Sequence, residues 1–164
     1  MDNLLPAELV DLARRVVEEN RATGRTIVLA ESCTGGLVAA ALTEIPGSSD
    51  VLDRAYVTYS NEAKRQSLGV SNEIIETFGA VSVACVYAMA QGALARSEAD
   101  VAVAISGIAG PGGGTEHKPV GTVVFARLDR GEDAPTAENR LFADGDRSYV
   151  RLQAALCALE LLLP

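Results

Sequence analysis

The 164-residue chain has no tryptophan, 4% aromatic residues, a single histidine, two lysines among fourteen basic residues, and three cysteines. Each shortage excludes something. With so few aromatics and a net charge of −8, the chain lacks both the stacking platform and the basic stripe of a nucleic-acid binder. The same charge disfavours an anionic membrane surface. One histidine, His117, excludes a His-rich metal site, and no metal is expected. A Ser-His-Asp triad is left only if His117 serves it. Cys33, Cys85 and Cys157 are odd in number, widely spaced and without a Cys-x-x-Cys pair, which reads as reduced thiols in a cytoplasmic protein. No apolar run reaches the roughly 18 residues of a transmembrane helix. The start, Met1-Asp2-Asn3, is not the basic opening of a signal peptide.

What is present is an apolar-rich chain, 48% hydrophobic with fifteen glycines and six prolines. That is enough for one domain over residues 1–164 with a real core, and too apolar for disorder. Helical and strand patterns alternate. Leu9, Val10, Leu12, Ala13, Val16 and Val17 share one helix face, closed by residues 20–24. Residues 26–30 and 101–105 are β-branched or apolar runs suited to strands buried on both faces. Residues 54–59 read as a strand, with Ala55, Val57 and Tyr59 alternating against Arg54, Tyr56 and Thr58. Helices are expected at 34–44, 61–68, 71–78, 82–95 and 147–163, further strands at 122–126 and 139–142, and a Gly/Pro loop over 107–121. This interleaving predicts a layered α/β domain with a mixed sheet, and ligands in such sheets bind beyond the carboxyl ends of the strands.

Two segments have that location. Ala30-Glu31-Ser32-Cys33-Thr34-Gly35-Gly36 leaves a strand and enters a helix. Its glycines admit a close ligand, its free amides attract an anion, and Ser32 or Thr34 adds a hydroxyl. An ordinary N-cap with glycines for helix–sheet packing is the alternative. Ser106 to Gly114 is richer in glycine and proline than a connection requires, which marks either a functional loop or a flexible excursion. At its far end Lys118 and His117 either reach a ligand or lie in solvent.

Nucleophilic hydrolysis needs a hydroxyl or thiol and a group that takes its proton. Without a histidine system, a lysine held neutral by its surroundings is the remaining base. Lys64, in Tyr59-Ser60-Asn61-Glu62-Ala63-Lys64, combines with Tyr59 and with Ser48-Ser49 into a Ser/Tyr/Lys set. The rival reading is a solvent-facing Lys64 behind an N-cap at Ser60 or Asn61. Cys33 is an alternative nucleophile at a helix N-terminus, though no base accompanies it. Arg147 and Arg151 stand one turn apart behind the N-cap candidate Asp146, either in solvent or as a phosphate clamp.

Five ordered blocks carry a resemblance: residues 30–36, Gly47-Ser48-Ser49, residues 59–64, Gly79-Ala80-Val81-Ser82, and Ser106-Gly107-Ile108-Ala109-Gly110-Pro111 with Lys118-Pro119-Val120-Gly121-Thr122. Together they resemble the CinA C-terminal domain family, from about residue 26 to the last helix. The resemblance implies a three-layer α/β/α sandwich with a mixed, mostly parallel sheet. It implies hydrolysis of the carboxamide of nicotinamide mononucleotide to nicotinate mononucleotide and ammonia in pyridine-nucleotide salvage. It further implies a serine–lysine hydrolase without cofactor or metal, acting on a small nucleotide and self-associating into a homo-oligomer. The implied catalytic residues are Ser49 as nucleophile with Tyr59 and Lys64. Substrate contacts are implied at Ser32, Thr34, Gly35, Gly36, Ser106, Gly107 and Arg147. The segment Phe142 to Arg147 is one residue longer than the family's Phe-x-Gly-Asp-Arg. A non-catalytic nucleotide-binding module of the same fold, and a cysteine hydrolase using Cys33, are the competing functions.

Overall fold

The computed structural model describes residues 3–164. The chain runs through α1 (Ala7–Thr23), β1 (Ile27–Glu31), α2 (Leu37–Thr43), a 3-10 turn (Ser48–Asp50), β2 (Leu52–Val57), α3 (Asn61–Leu68), α4 (Asn72–Phe78) and α5 (Val83–Ala95). It continues through β3 (Val101–Gly107), β4 (Thr122–Asp129), β5 (Thr136–Leu141) and α6 (Arg147–Leu161). The five strands form one sheet in the order β2-β1-β3-β4-β5. β1 is parallel to β2 and β3, while β4 and β5 are antiparallel. The expected mixed sheet is therefore present, with helices on both faces.

The central strands explain why the layers pack as they do. In β3, Val101, Val103 and Ile105 face the core built with α1, α2 and α6, whereas Ala102 and Ala104 face α5. Alternating large and small side chains give the two faces different depths. On the shallow side α5 also carries small residues, Ala90, Gly92 and Ala93. A Cβ at Gly92 would collide with the carbonyl oxygen of Leu68, so α5 and the end of α3 touch backbone to backbone there. On the other face Asn20 is buried rather than only closing α1. Its Nδ2 donates to Val16 O at 2.8 Å and to Leu162 O at 2.9 Å, fastening α1 to the end of α6.

Several boundaries shift from the sequence reading. α2 starts at Leu37 because residues 34–36 are occupied in a turn around Glu31. β2 runs over 52–57, and the expected alternation inverts at its end. Val57 and Tyr59 are exposed and Thr58 is buried, because β2 is an edge strand whose last residues turn toward α3. β4 extends to Asp129 and β5 spans 136–141 rather than 139–142. Strand pairing adds these polar residues, and hydrophobic pattern alone does not register them.

Candidate active site

β1 and β3 are parallel neighbours, so their carboxyl ends deliver Ser32 and Ser106 side by side. The amide of Ser32 donates to Ile105 O at 3.0 Å, continuing the ladder one residue past β1. β2 ends on the same side of the sheet and leads through Thr58 and Tyr59 into α3. Ser60 caps that helix, accepting from the Ala63 amide at 3.0 Å. Lys64 follows one turn later and points inward, only 1% exposed.

The Lys64 Nζ reaches three oxygens. It donates to Thr58 O at 2.8 Å and Tyr59 O at 3.2 Å, and lies 3.0 Å from Ser32 Oγ. No carboxylate pairs with it among the described residues, and burial pushes its pKa below the ordinary lysine value. Two carbonyl oxygens and one hydroxyl thus surround Nζ, and the hydroxyl is the one partner that also carries a proton it can give up. The fold therefore brings the Lys64 amine within hydrogen-bond reach of the Ser32 hydroxyl. The solvent-facing reading of Lys64 does not hold, although the Ser60 cap does.

Around the dyad lies a cleft of about 300 Å³. Tyr59, Asn61, Ala80, Val81 and Arg147 line it together with Ser106 and the glycine-rich loop from Gly107 to Gly113. Arg147 and Lys64 are its basic residues, with no acidic residue in the lining, although the chain as a whole is at −8. Arg147 begins α6 and donates to Gly110 O at 2.7 Å and to the Tyr59 hydroxyl at 3.0 Å. The extra residue before Arg147 has not removed it from the cleft. At Gly107 a Cβ would meet Val123 Cγ2 at 2.8 Å and Cys33 Sγ and Thr122 O at 3.0 Å, so only glycine fits between the two loops.

Ser49 is not brought to this cluster. It lies exposed on the 3-10 turn that precedes β2, whereas Tyr59 and Lys64 follow that strand. Six strand residues separate the two ends, about 20 Å at the usual rise. Short separation in sequence had suggested proximity, but an extended strand puts its flanking residues at opposite edges of the sheet. Tyr59 is placed at the mouth, 60% exposed as a residue. Its hydroxyl meets Arg147, and Lys64 is bound to its carbonyl instead.

Thr34, Gly35 and Gly36 do not line the cleft. The fully buried Glu31 accepts from Thr34 Oγ1 at 2.7 Å and from the amides of Gly36, Val38 and Ala39 at 3.0, 3.3 and 2.9 Å. Gly35 donates to Ser32 O at 2.9 Å. The start of α2 is therefore already capped by a carboxylate from within, and the amides of Gly35, Gly36, Val38 and Ala39 all have partners inside the protein. Gly35 and Gly36 take φ of +59° and +95° to bend the chain around that carboxylate. Arg151, whose role the sequence left open, donates to Cys33 O and Thr34 O at 3.1 Å each and fixes the same turn from α6. Cys33 is buried and its thiol is pushed up to about 11, chiefly by burial, which disfavours the thiolate a cysteine hydrolase needs.

Sequence reasoning missed Asn61, Ala80 and Val81 as lining residues, and missed Glu31 altogether. A glutamate directly after an apolar strand and before two glycines was the available signal.

The likeness to known proteins is consistent across sequence and structure. The family model described as the CinA C-terminal domain matches residues 9–164. The nicotinamide-nucleotide amidohydrolase PncC of Escherichia coli K12 is 51% identical over 157 residues, covering 95% of this chain and 93% of that protein. A CinA-like protein of Mycobacterium avium is 53% identical over 142 residues, covering 85% of this chain but 32% of that protein. The chain thus spans about a third of some relatives and nearly all of others. The crystal structure of competence/damage inducible protein CihA from Agrobacterium tumefaciens superimposes with a TM-score of 0.93 at 49% identity, covering 97% of this chain and 96% of that one. With the expected α/β sheet in place and the family match running from α1 to the last residue, the chain belongs to the CinA C-terminal domain family.

Proposed function

We propose that the chain hydrolyses the carboxamide of nicotinamide mononucleotide, releasing ammonia and nicotinate mononucleotide, with Ser32 as nucleophile and Lys64 as general base. The 3.0 Å approach of Lys64 Nζ to Ser32 Oγ inside the cleft carries this reading. The likeness to PncC supports the substrate. The nucleophile is Ser32 rather than Ser49 because only Ser32 has a base within reach.

As Ser32 Oγ bonds to the carboxamide carbon, its proton passes to Lys64 Nζ and the carbonyl electron pair moves onto oxygen. The tetrahedral species collapses with cleavage of the C–N bond, and the Lys64 ammonium supplies the proton that lets nitrogen leave as ammonia. Water then attacks the resulting ester while Lys64 takes one of its protons. The ester C–O bond breaks and Ser32 recovers its hydroxyl from Lys64. The amides of Ala109, Gly110, Gly112 and Gly113 donate to no other group among the described residues. They are therefore free for the oxyanion or the nucleotide phosphate. Arg147 supplies a charge-assisted contact to that phosphate, exchanging its bond to Gly110 O.

The same reading places the reaction in pyridine-nucleotide salvage in the cytoplasm, in a self-associating chain. The three unpaired cysteines suit a reducing compartment. Among the described residues no helix is long and apolar enough to cross a membrane.

The test is ammonia release from nicotinamide mononucleotide in the presence of a chelator, for wild type, Ser32→Ala, Lys64→Ala and Ser49→Ala. Turnover is expected in wild type and Ser49→Ala and is expected to vanish in the other two while their folding is retained. Loss of activity in Ser49→Ala with an active Ser32→Ala would reverse the assignment. A folded wild type that releases no ammonia but binds the nucleotide would instead make the chain a binding module.

A further inference from the structure

The chain has only two lysines, and the second lies beside the same cleft without lining it. One wall of the cleft is the glycine-rich loop, through Ile108, Ala109, Gly110, Gly112 and Gly113. The facing wall is Ala80 and Val81, between α4 and α5. The base of the loop is fixed by Ile108 N–H to Thr122 O at 2.9 Å and Gly121 N–H to Ile108 O at 2.7 Å. Between those points the loop has four glycines and no strand or helix.

Near its far end a small turn is closed in both directions. Thr115 N–H donates to Lys118 O at 2.8 Å, and Lys118 N–H donates to Thr115 Oγ1 at 3.0 Å. This turn aims the Lys118 side chain across to α4, where Nζ donates to Phe78 O at 2.7 Å. Phe78 is the last residue of α4, and Ala80 of the opposite wall follows two residues later. The last carbonyls of a helix lack intrahelical partners and carry the negative end of its dipole, so a cation is favoured there. Among the described residues this is the one hydrogen bond that joins the glycine loop directly to the α4–α5 wall.

We propose that Lys118 is a positioning residue: by tying the loop to the end of α4 it sets the spacing between the two walls of the cleft, and through it the binding of the nucleotide. It touches neither Ser32 nor Lys64. Its effect is on how the loop amides meet substrate. The kinetic part of this inference rests on the proposed amidohydrolase reading, while the structural part does not.

The experiment compares wild type with Lys118→Met and Lys118→Arg by two readouts. The first is amide hydrogen exchange over residues 107–121, measured without substrate. Exchange in that segment is expected to speed up in Lys118→Met and to return toward wild type in Lys118→Arg, which keeps a cationic donor at similar reach. The second is steady-state ammonia release. Lys118→Met is expected to raise KM by about tenfold, as for one charged hydrogen bond lost on binding, with kcat little changed and Lys118→Arg restoring KM. Unchanged exchange in Lys118→Met would overturn the proposal whatever the activity. So would a fall in kcat alone, which would put Lys118 in the chemistry. If wild type has no turnover, the exchange comparison still decides whether Lys118 holds the loop, and the failure belongs to the amidohydrolase reading.

Discussion

Glu31→Gln tests whether one buried carboxylate builds the turn that presents Ser32. Glu31 Oε2 accepts from Thr34 Oγ1, Gly36 N–H and Val38 N–H, and Oε1 accepts from Ala39 N–H. All four partners are donors, and glutamine offers one oxygen and one NH2. Its better orientation puts the oxygen toward the three donors and turns the NH2 against the Ala39 amide, leaving that half-buried donor without a partner. The flipped orientation strands three. A hydrogen bond to a charged group contributes about 1.5–3 kcal/mol and a neutral one about 0.5–1.5. The three surviving bonds therefore weaken by roughly 1 kcal/mol each, and the stranded amide costs a further 1–3 or so. The sum is a loss of about 4–6 kcal/mol, or a fall in Tm of roughly 8–24 °C for a domain of this size. Thermal unfolding by circular dichroism, with urea denaturation alongside, measures it. Activity at a temperature where the variant is folded should also drop, since Ser32 is the next residue. A Glu31→Gln protein that melts within about 2 °C of wild type would refute the claim that the carboxylate caps α2.

The burial of Lys64 and the close approach at Gly92 set the remaining expectations. Because burial lowers the pKa of Lys64, kcat/KM should fall on the acid side as Nζ takes up a proton, with a midpoint below about 10.4, the free-lysine value. Lys64→Arg should not restore activity, since guanidinium stays charged. A rate flat between about pH 5 and pH 9 would remove lysine as the base. The stability linkage has the matching sign. The unfolded chain binds this proton more tightly than the folded one, so the cost of burying Lys64 is full below its folded pKa and is relieved as pH rises through it. Gly92→Ala should destabilise the fold by about 1–3 kcal/mol in urea denaturation despite the higher helix propensity of alanine. The new Cβ would push α5 off the Leu68 carbonyl. A more stable variant would show that the contact yields freely.

Side-chain period and composition prescribe the layers and the list of reactive residues. Val101, Val103 and Ile105 alternating with Ala102 and Ala104 already prescribe one deep and one shallow face. The ordered motifs around Ser32, Lys64, Gly107 and Arg147 mark the carboxyl edge of the sheet. These are local properties, carried by side-chain period and composition, and they survive any rearrangement of distant elements.

Which hydroxyl meets Lys64 is a different kind of fact. Ser49 is fifteen residues from Lys64 in sequence and Ser32 is thirty-two, yet the extended β2 separates the nearer pair and the parallel pairing of β1 with β2 joins the farther one. Likewise, a glycine-flanked helix start looks like an anion site until the fold folds Glu31 back onto it, and a lone Lys118 looks solvated until α4 ends beneath it. Strand direction, the burial of a charge and the target of a long side chain depend on elements far apart in the chain. Only tertiary structure decides those, because the free energy that fixes them comes from contacts the sequence does not place next to one another.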